Sequence, residues 1–195
     1  GPKGSVVNIK VKRAGEPDLI DFRLVRDDIP IYSVDASYLV DDTTGFISVT
    51  RFAESTAREV RQAADSLAAL GMRNLILDLS SNGGGYLGAA YELASEFLRE
   101  GDPVVFTKGL HTPATYFNVE RTGTIPVDRL VVMVDQYSAS AAEILSGAIQ
   151  ENDRGLVVGR RTFGKGLVQR PFPFPDGSMI RLTTSRYYTP SGRCI

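Results

Sequence analysis

Ser138 to Gln169 reads SASAAEILSGAIQENDRGLVVGRRTFGKGLVQ. It places a serine at the start of a helical pattern, Ala141 to Glu151, with Ile144, Leu145, Ala148 and Ile149 on one face. A short apolar strand, Gly155 to Gly159, follows, and then Lys165 stands between two glycines. Leu130 to Val134 is a strand feeding the serine turn, so the stretch sits in a strand–helix–strand unit, the building block of a parallel sheet. A serine hydroxyl is a poor nucleophile until a neighbouring base takes its proton, and a neutral lysine can be that base. Burial lowers a lysine pKa by disfavouring the ammonium. Phe163, Leu167, Val168 and the flanking glycines are the residues expected to build a water-poor pocket around Lys165. The layout is that of serine–lysine hydrolysis.

Two plainer readings compete. Ser140-x-x-Glu143 has the spacing of a capping box, in which the hydroxyl only satisfies a backbone N–H. Gly159 to Lys165 fits G-x-x-x-x-G-K of a phosphate-binding loop. That motif needs Ser or Thr next and a helix after it. Here Gly166 follows, and the prolines of LVQRPFPFP exclude a helix.

Upstream, Asn74 to Leu79 is a short apolar run, followed at once by Ser80-Ser81-Asn82-Gly83-Gly84-Gly85 and a helical pattern through Arg99. Strand, glycine turn and helix form a second βα unit. Glycines let backbone N–H groups approach a ligand, and the helix N-terminus behind them favours negative charge. The turn is a candidate half of an oxyanion hole, or simply a glycine-rich turn.

Three blocks, SASAAE, GLVVGRRTFGKGLVQ and LILDLSSNGGG, together resemble the signature blocks of the C-terminal processing, or tail-specific, serine proteases. The resemblance covers most of the chain from about Tyr32. It implies Ser140 as nucleophile, Lys165 as general base and Gln169 as the group that orients the lysine. The implied oxyanion donors are the N–H of Gly84 or its neighbour and the N–H of Ala141. Ala142 departs from the family, which often repeats a serine there, and Gly83 replaces a frequent proline. Placing positions 165, 167 and 169 on one strand puts Lys165 and Gln169 on the same side. The family also implies cleavage of proteins near their C-termini, extended C-terminal tails as substrates, small or apolar residues favoured there, and work in the bacterial periplasm.

The rest of the chain fits one catalytic core with a leading hairpin. Val6 to Arg13 and Leu19 to Arg26 alternate apolar and polar around a turn-rich stretch. They resemble the closing segment of the PDZ domain that precedes the core in this family; the alternative is a hairpin that belongs to the core itself. Asp27-Asp28-Ile29-Pro30 reads as a linker, dividing residues 1–30 from a peptidase core at 31–195. Val34 to Val40 and Phe46 to Arg51 are strand-like. Thr56 with Glu59 is a capping box for a helix ending at Leu70-Gly71. Pro103 to Thr107, Thr115 to Val119, Leu167 to Phe172 and Met179 to Ser185 complete the strands. The family normally continues beyond Tyr187 to Gly192, so truncation at the C-terminus is expected. The predicted fold is α/β: a mostly parallel twisted sheet with helices packed on it, a crotonase-like core.

Composition narrows the function classes. With 43% hydrophobic and 23% charged residues the chain is of ordinary globular type. Its 22 basic and 23 acidic side chains leave a net charge of −1, with no electrostatic pull toward nucleic acid. One cysteine, Cys194, and one histidine, His111, supply neither a disulfide nor a clustered metal site, so no metal and no cofactor are expected. His111, beside Thr112-Pro113, reads as a surface residue. No apolar run reaches the length of about 20 residues that spans a membrane. Two other functions remain open: a crotonase-like acyl-CoA enzyme, and a catalytically silent relative that binds peptides or apolar ligands.

Overall fold

The computed structural model describes residues 1–28 and 31–195. It divides into two compact units, Gly1–Ile31 and Tyr32–Ile195. Ile29 and Pro30 of the expected linker lie outside the described residues. In the first unit, β1 (Val6–Val11) pairs antiparallel with β2 (Ile20–Val25), Val6 facing Val25 and Val11 facing Ile20. This is the hairpin expected from the alternating pattern.

The second unit is built on a five-stranded sheet of β3 (Val34–Leu39), β4 (Thr44–Val49), β5 (Asn74–Asp78), β8 (Arg129–Val134) and β9 (Leu156–Gly159), in that order. From β4 to β9 all neighbours are parallel, and β3 is an antiparallel edge. Because these parallel strands follow in chain order and crossovers share one hand, α1 (Thr56–Ala69), α2 (Leu87–Ser95) and α3 (Ala141–Glu151) fall on one face. Ile47, Val49, Leu75, Leu77, Leu130 and Val132 are buried from that face against Val60, Ala64, Leu93, Leu145 and Ile149. Met133, pointing the other way, is 37% exposed.

Between α2 and β8 the chain leaves this sheet. It forms β6 (Pro103–Lys108) and β7 (Thr115–Asn118), which join β10 (Leu167–Pro173) and β11 (Met179–Tyr188) in a second sheet, ordered β10-β11-β6-β7. Every pairing in it is antiparallel. The α/β class therefore holds, but the expected mostly parallel sheet is corrected: parallel pairing is confined to the five-stranded sheet. The sequence blocks of β10 and β11 are joined by a tight Asp176-Gly177 turn, which forces an antiparallel hairpin rather than a crossover.

Three local expectations also change. α1 starts after Ser55 rather than on a Thr56–Glu59 box: Glu59 instead accepts the N–H groups of Ser33 (2.7 Å) and Val34 (3.1 Å), and the buried Thr56 hydroxyl bonds that of Ser33. α2 stops at Ser95 instead of Arg99, because the N–H groups of Glu96 and Phe97 turn back to carbonyls three residues earlier and tighten the chain. β11 runs on to Tyr188 because Arg186, Tyr187 and Tyr188 find partners on β6.

Candidate active site

The two turns that matter leave the C-terminal ends of neighbouring parallel strands, β5 and β8. That end of an open α/β sheet is where ligands bind, since the turns there are free of strand pairing. Asn82, fully buried, joins the first turn to its surroundings. Its side-chain N–H donates to the Val49 carbonyl (2.7 Å), its Oδ1 accepts Gly84 N–H (2.9 Å), and its carbonyl accepts Ala139 N–H (2.9 Å). The glycine turn is also pinned to Phe52, whose N–H donates to the Gly84 carbonyl (3.0 Å).

Gly84 lies directly against the turn that carries Ser140. A Cβ there would stand 2.6 Å from the Ala139 carbonyl oxygen, 2.9 Å from Ser140 Cβ and 3.0 Å from the Ala141 nitrogen. Its φ of +94° adds a second reason for glycine. The structure thus brings Gly84, Ser140 and Ala141 together. Gly84 N–H is already taken by Asn82, whereas the N–H groups of Gly85 and Ala141 have no acceptor among the described residues.

Ser140 caps α3 with φ +56° and ψ −110°. A non-glycine residue in this region costs about 1–3 kcal/mol and persists only where its neighbours over-determine it. The half-buried hydroxyl makes no side-chain capping bond, and Glu143 N–H goes to the Ser140 carbonyl (2.9 Å). Although the spacing and approximate placement of a capping box are present, only the Glu143 half is well made, with Ser140 N–H donating to Oε2 at 2.8 Å. The hydroxyl is therefore left for other work.

Glu143, only 5% exposed, does more than cap. The same Oε2 accepts Lys165 N–H at 2.8 Å, and Oε1 accepts Gly164 N–H at 2.6 Å. Two nitrogens each 2.8 Å from one oxygen are at most twice that distance apart, so the backbones of Ser140 and Lys165 are neighbours. Phe163 N–H adds a bond to the Ser138 carbonyl (3.0 Å).

The expected apolar pocket around Lys165 is not built. Lys165 and Gly164 are exposed, Phe163 is 65% exposed and Leu167 40%. The cause is local: Phe163, Gly164 and Lys165 are held at the surface by backbone bonds to Ser138 and Glu143, and the chain turns inward only at Gly166, which is buried against the Ile195 backbone. Lys165 precedes β10 instead of lying in it, so the alternation argument linking it to Gln169 does not apply. Gln169 is exposed on β10 opposite Thr183, where β11 carries one extra residue, Thr184. His111 is exposed and lines a separate cavity of about 690 Å³ with Lys108 and Arg186.

The sequence reading missed Asn82 and the strap made by Glu143. It also missed Asp135, whose carboxylate takes N–H groups from Ser81, Tyr137 and Ser138. Burial pushes the Asp135 carboxyl up, but these N–H groups and the Ser81 hydroxyl outweigh it and hold the pKa below the usual range. The signal available was D-Q-Y-S, an Asx-turn pattern.

Residues 43–195 match the family model of peptidase family S41. The chain is 35% identical over 199 residues to the carboxy-terminal processing protease CtpB of Bacillus subtilis (strain 168), covering all of this chain and 41% of that protein. It is 37% identical over 196 residues to the carboxyl-terminal-processing protease of Synechocystis sp. (strain ATCC 27184 / PCC 6803 / Kazusa), covering 97% of this chain and 45% of that one. Among solved structures it resembles a photosystem II D1 C-terminal processing protease, with a TM-score of 0.76 and 28% identity over all of this chain and 53% of that chain. The chain thus spans less than half the length of these curated relatives.

Proposed function

The chain belongs to peptidase family S41, and from that premise we propose that it is the core of a serine endopeptidase in which Ser140 attacks a peptide carbonyl and Lys165 is the base. The observation that carries this reading is Ser140 itself: a strained residue at a helix N-terminus, its hydroxyl making no full capping hydrogen bond, one Glu143 oxygen away from the backbone of Lys165. The Ser140 proton passes to the neutral lysine as the Oγ–C bond forms. The carbonyl oxygen becomes an oxyanion within reach of the N–H groups of Ala141 and of the Gly84–Gly85 turn. Collapse of that intermediate expels the amine, which takes the proton from Lys165, and water then releases the acyl group from Ser140.

Lys165 is exposed, so the desolvation that favours a neutral lysine must come with substrate. An extended substrate segment laid over the exposed Phe163, Lys165 and Leu167 side chains would exclude water from Lys165. The curated relatives are named for processing carboxy termini, and by that likeness the substrates proposed here are proteins cut near their C-terminal tails, outside the cytoplasm. Gln169 is proposed to orient the lysine once substrate has closed the site.

Labelling the full chain with a fluorophosphonate probe tests the reading. A covalent adduct on Ser140 that is lost in Lys165→Ala is expected; an adduct elsewhere, or none, overturns it. The exposure of Lys165 favours a second reading, a relative that binds peptides without cleaving them, and bound peptide with no adduct is its signature.

A further inference from the structure

Asp135 follows β8 and stands at the base of the turn that carries Ser140. Its Oδ1 accepts the N–H of Ser81 at 2.9 Å, of Tyr137 at 2.9 Å and of Ser138 at 3.0 Å. The Ser81 hydroxyl reaches Oδ2 at 3.2 Å, and the Ser138 hydroxyl lies 3.2 Å from Oδ1 while donating to the Leu79 carbonyl at 2.8 Å. Asp135 N–H closes the set on Ser138 Oγ at 2.9 Å. Ser81 belongs to the glycine turn after β5, and Tyr137 and Ser138 to the nucleophile turn after β8. One side chain therefore fastens both walls of the site.

Ser81 has φ +59°, a left-handed conformation that serine adopts only when held. Both its N–H and its hydroxyl are held by Asp135. Three residues further on, Gly84 meets Ser140 Cβ and the Ala141 nitrogen. The angle at which the glycine turn faces Ala141 N–H is thus held from two sides, by Asn82 and Phe52 near Gly84 and by Asp135 at Ser81. An oxyanion hole needs its two donors about 2.7–3.1 Å from one point, and here they come from different turns on different strands. Neighbouring strands alone fix those turns only at their roots.

We propose that Asp135 is a positioning residue for acyl transfer: its carboxylate holds the glycine turn and the nucleophile turn at the separation that lets their N–H groups share one oxyanion. It touches no substrate. The inference rests on the serine-peptidase reading and adds a residue that, beside Asn82, ties its two half-sites together. Asparagine retains one carbonyl oxygen with the place of Oδ1 and can accept the same three N–H groups; alanine can accept none.

The test is a saturation series with a peptidyl fluorophosphonate on the full chain as wild type, Asp135→Asn and Asp135→Ala, well below each thermal midpoint. The maximal labelling rate of Ser140 is read separately from the half-saturating concentration. For Asp135→Ala the maximal rate should fall tenfold or more while half-saturation stays within twofold, because the loss concerns the charged transition state and not the peptide. Asp135→Asn should stay within about threefold of wild type in both, and amide exchange at Ser81 should quicken only in Asp135→Ala. A folded Asp135→Ala chain that labels as fast as wild type refutes the positioning role. So does an equal change in rate and half-saturation, or an Asp135→Asn chain no better than Asp135→Ala. A wild-type chain without labelling refutes the serine reading itself, and the inference with it.

Discussion

Replacing Glu143 with glutamine removes one oxygen from a group that uses two. The carboxylate accepts three backbone N–H groups, Gly164 on Oε1 and Ser140 and Lys165 on Oε2, and the residue is 5% exposed. An amide offers one oxygen and one NH2, so whichever way it turns, a donor faces a donor. In the better orientation the bonds to Ser140 and Lys165 survive as neutral ones and Gly164 N–H is orphaned. Losing a charged hydrogen bond costs about 1.5–3 kcal/mol, and weakening the other two brings the expected total to about 3–4 kcal/mol. For a chain of this size that is a fall in Tm of about 6–15 °C. The same change frees the Lys165 backbone from the N-cap of α3. A displacement of about 1 Å at a reacting group costs about a hundredfold in rate, and single-turnover acylation should show a loss of that order. Thermal unfolding by circular dichroism and acylation of the folded variant are the two assays. A Glu143→Gln chain within about 1 kcal/mol of wild type and above half its rate would refute the strap.

Ser140→Ala should abolish peptide cleavage in the full chain and leave Tm unchanged or slightly higher, because alanine removes a hydroxyl that makes no capping bond; residual cleavage would end its assignment as nucleophile. Lys165→Arg should be inactive at every pH up to 9, since guanidinium keeps its proton there, whereas His111→Ala should keep the wild-type pH–rate profile. Asn82→Ala takes the partner of the buried Val49 carbonyl and of the half-buried Gly84 N–H, so a loss of about 2–4 kcal/mol by denaturant unfolding is expected, with activity falling alongside. Glu59 is pushed up by burial, but the Ser55 hydroxyl and the N–H groups of Val34 and Ser33, helped by the Arg58 charge, bring its pKa below the usual carboxylate value. Its contribution is therefore complete above about pH 4.5 and is lost as pH falls through the lower folded value. Glu59→Gln should flatten that limb of a stability–pH curve, and an unchanged acid limb would contradict the bonding described.

The sequence by itself determined the elements that follow from periodicity and punctuation. The alternation of β1 and β2, the apolar runs of β5 and β8, and the i, i+3, i+4 face of α3 are local facts, because each depends only on which residues share a side of a helix or strand. Ser140, Lys165 and the glycine turn were legible for a related reason: their residue types and order carry the family resemblance. What only the tertiary structure decided is which groups meet. Gly84 lies against Ser140 because β5 and β8 are neighbours, and no spacing along the chain states that neighbourhood. Asp135 reaches Ser81, and Glu143 reaches Lys165, across separations in sequence that a local pattern cannot see. The partition of strands between one parallel and one antiparallel sheet was hidden too, since a short apolar run reads alike in both. The exposure of Lys165 was hidden for the opposite reason: apolar neighbours in sequence bury a side chain only if the fold turns them toward it, and here the backbone bonds to Glu143 and Ser138 hold them at the surface.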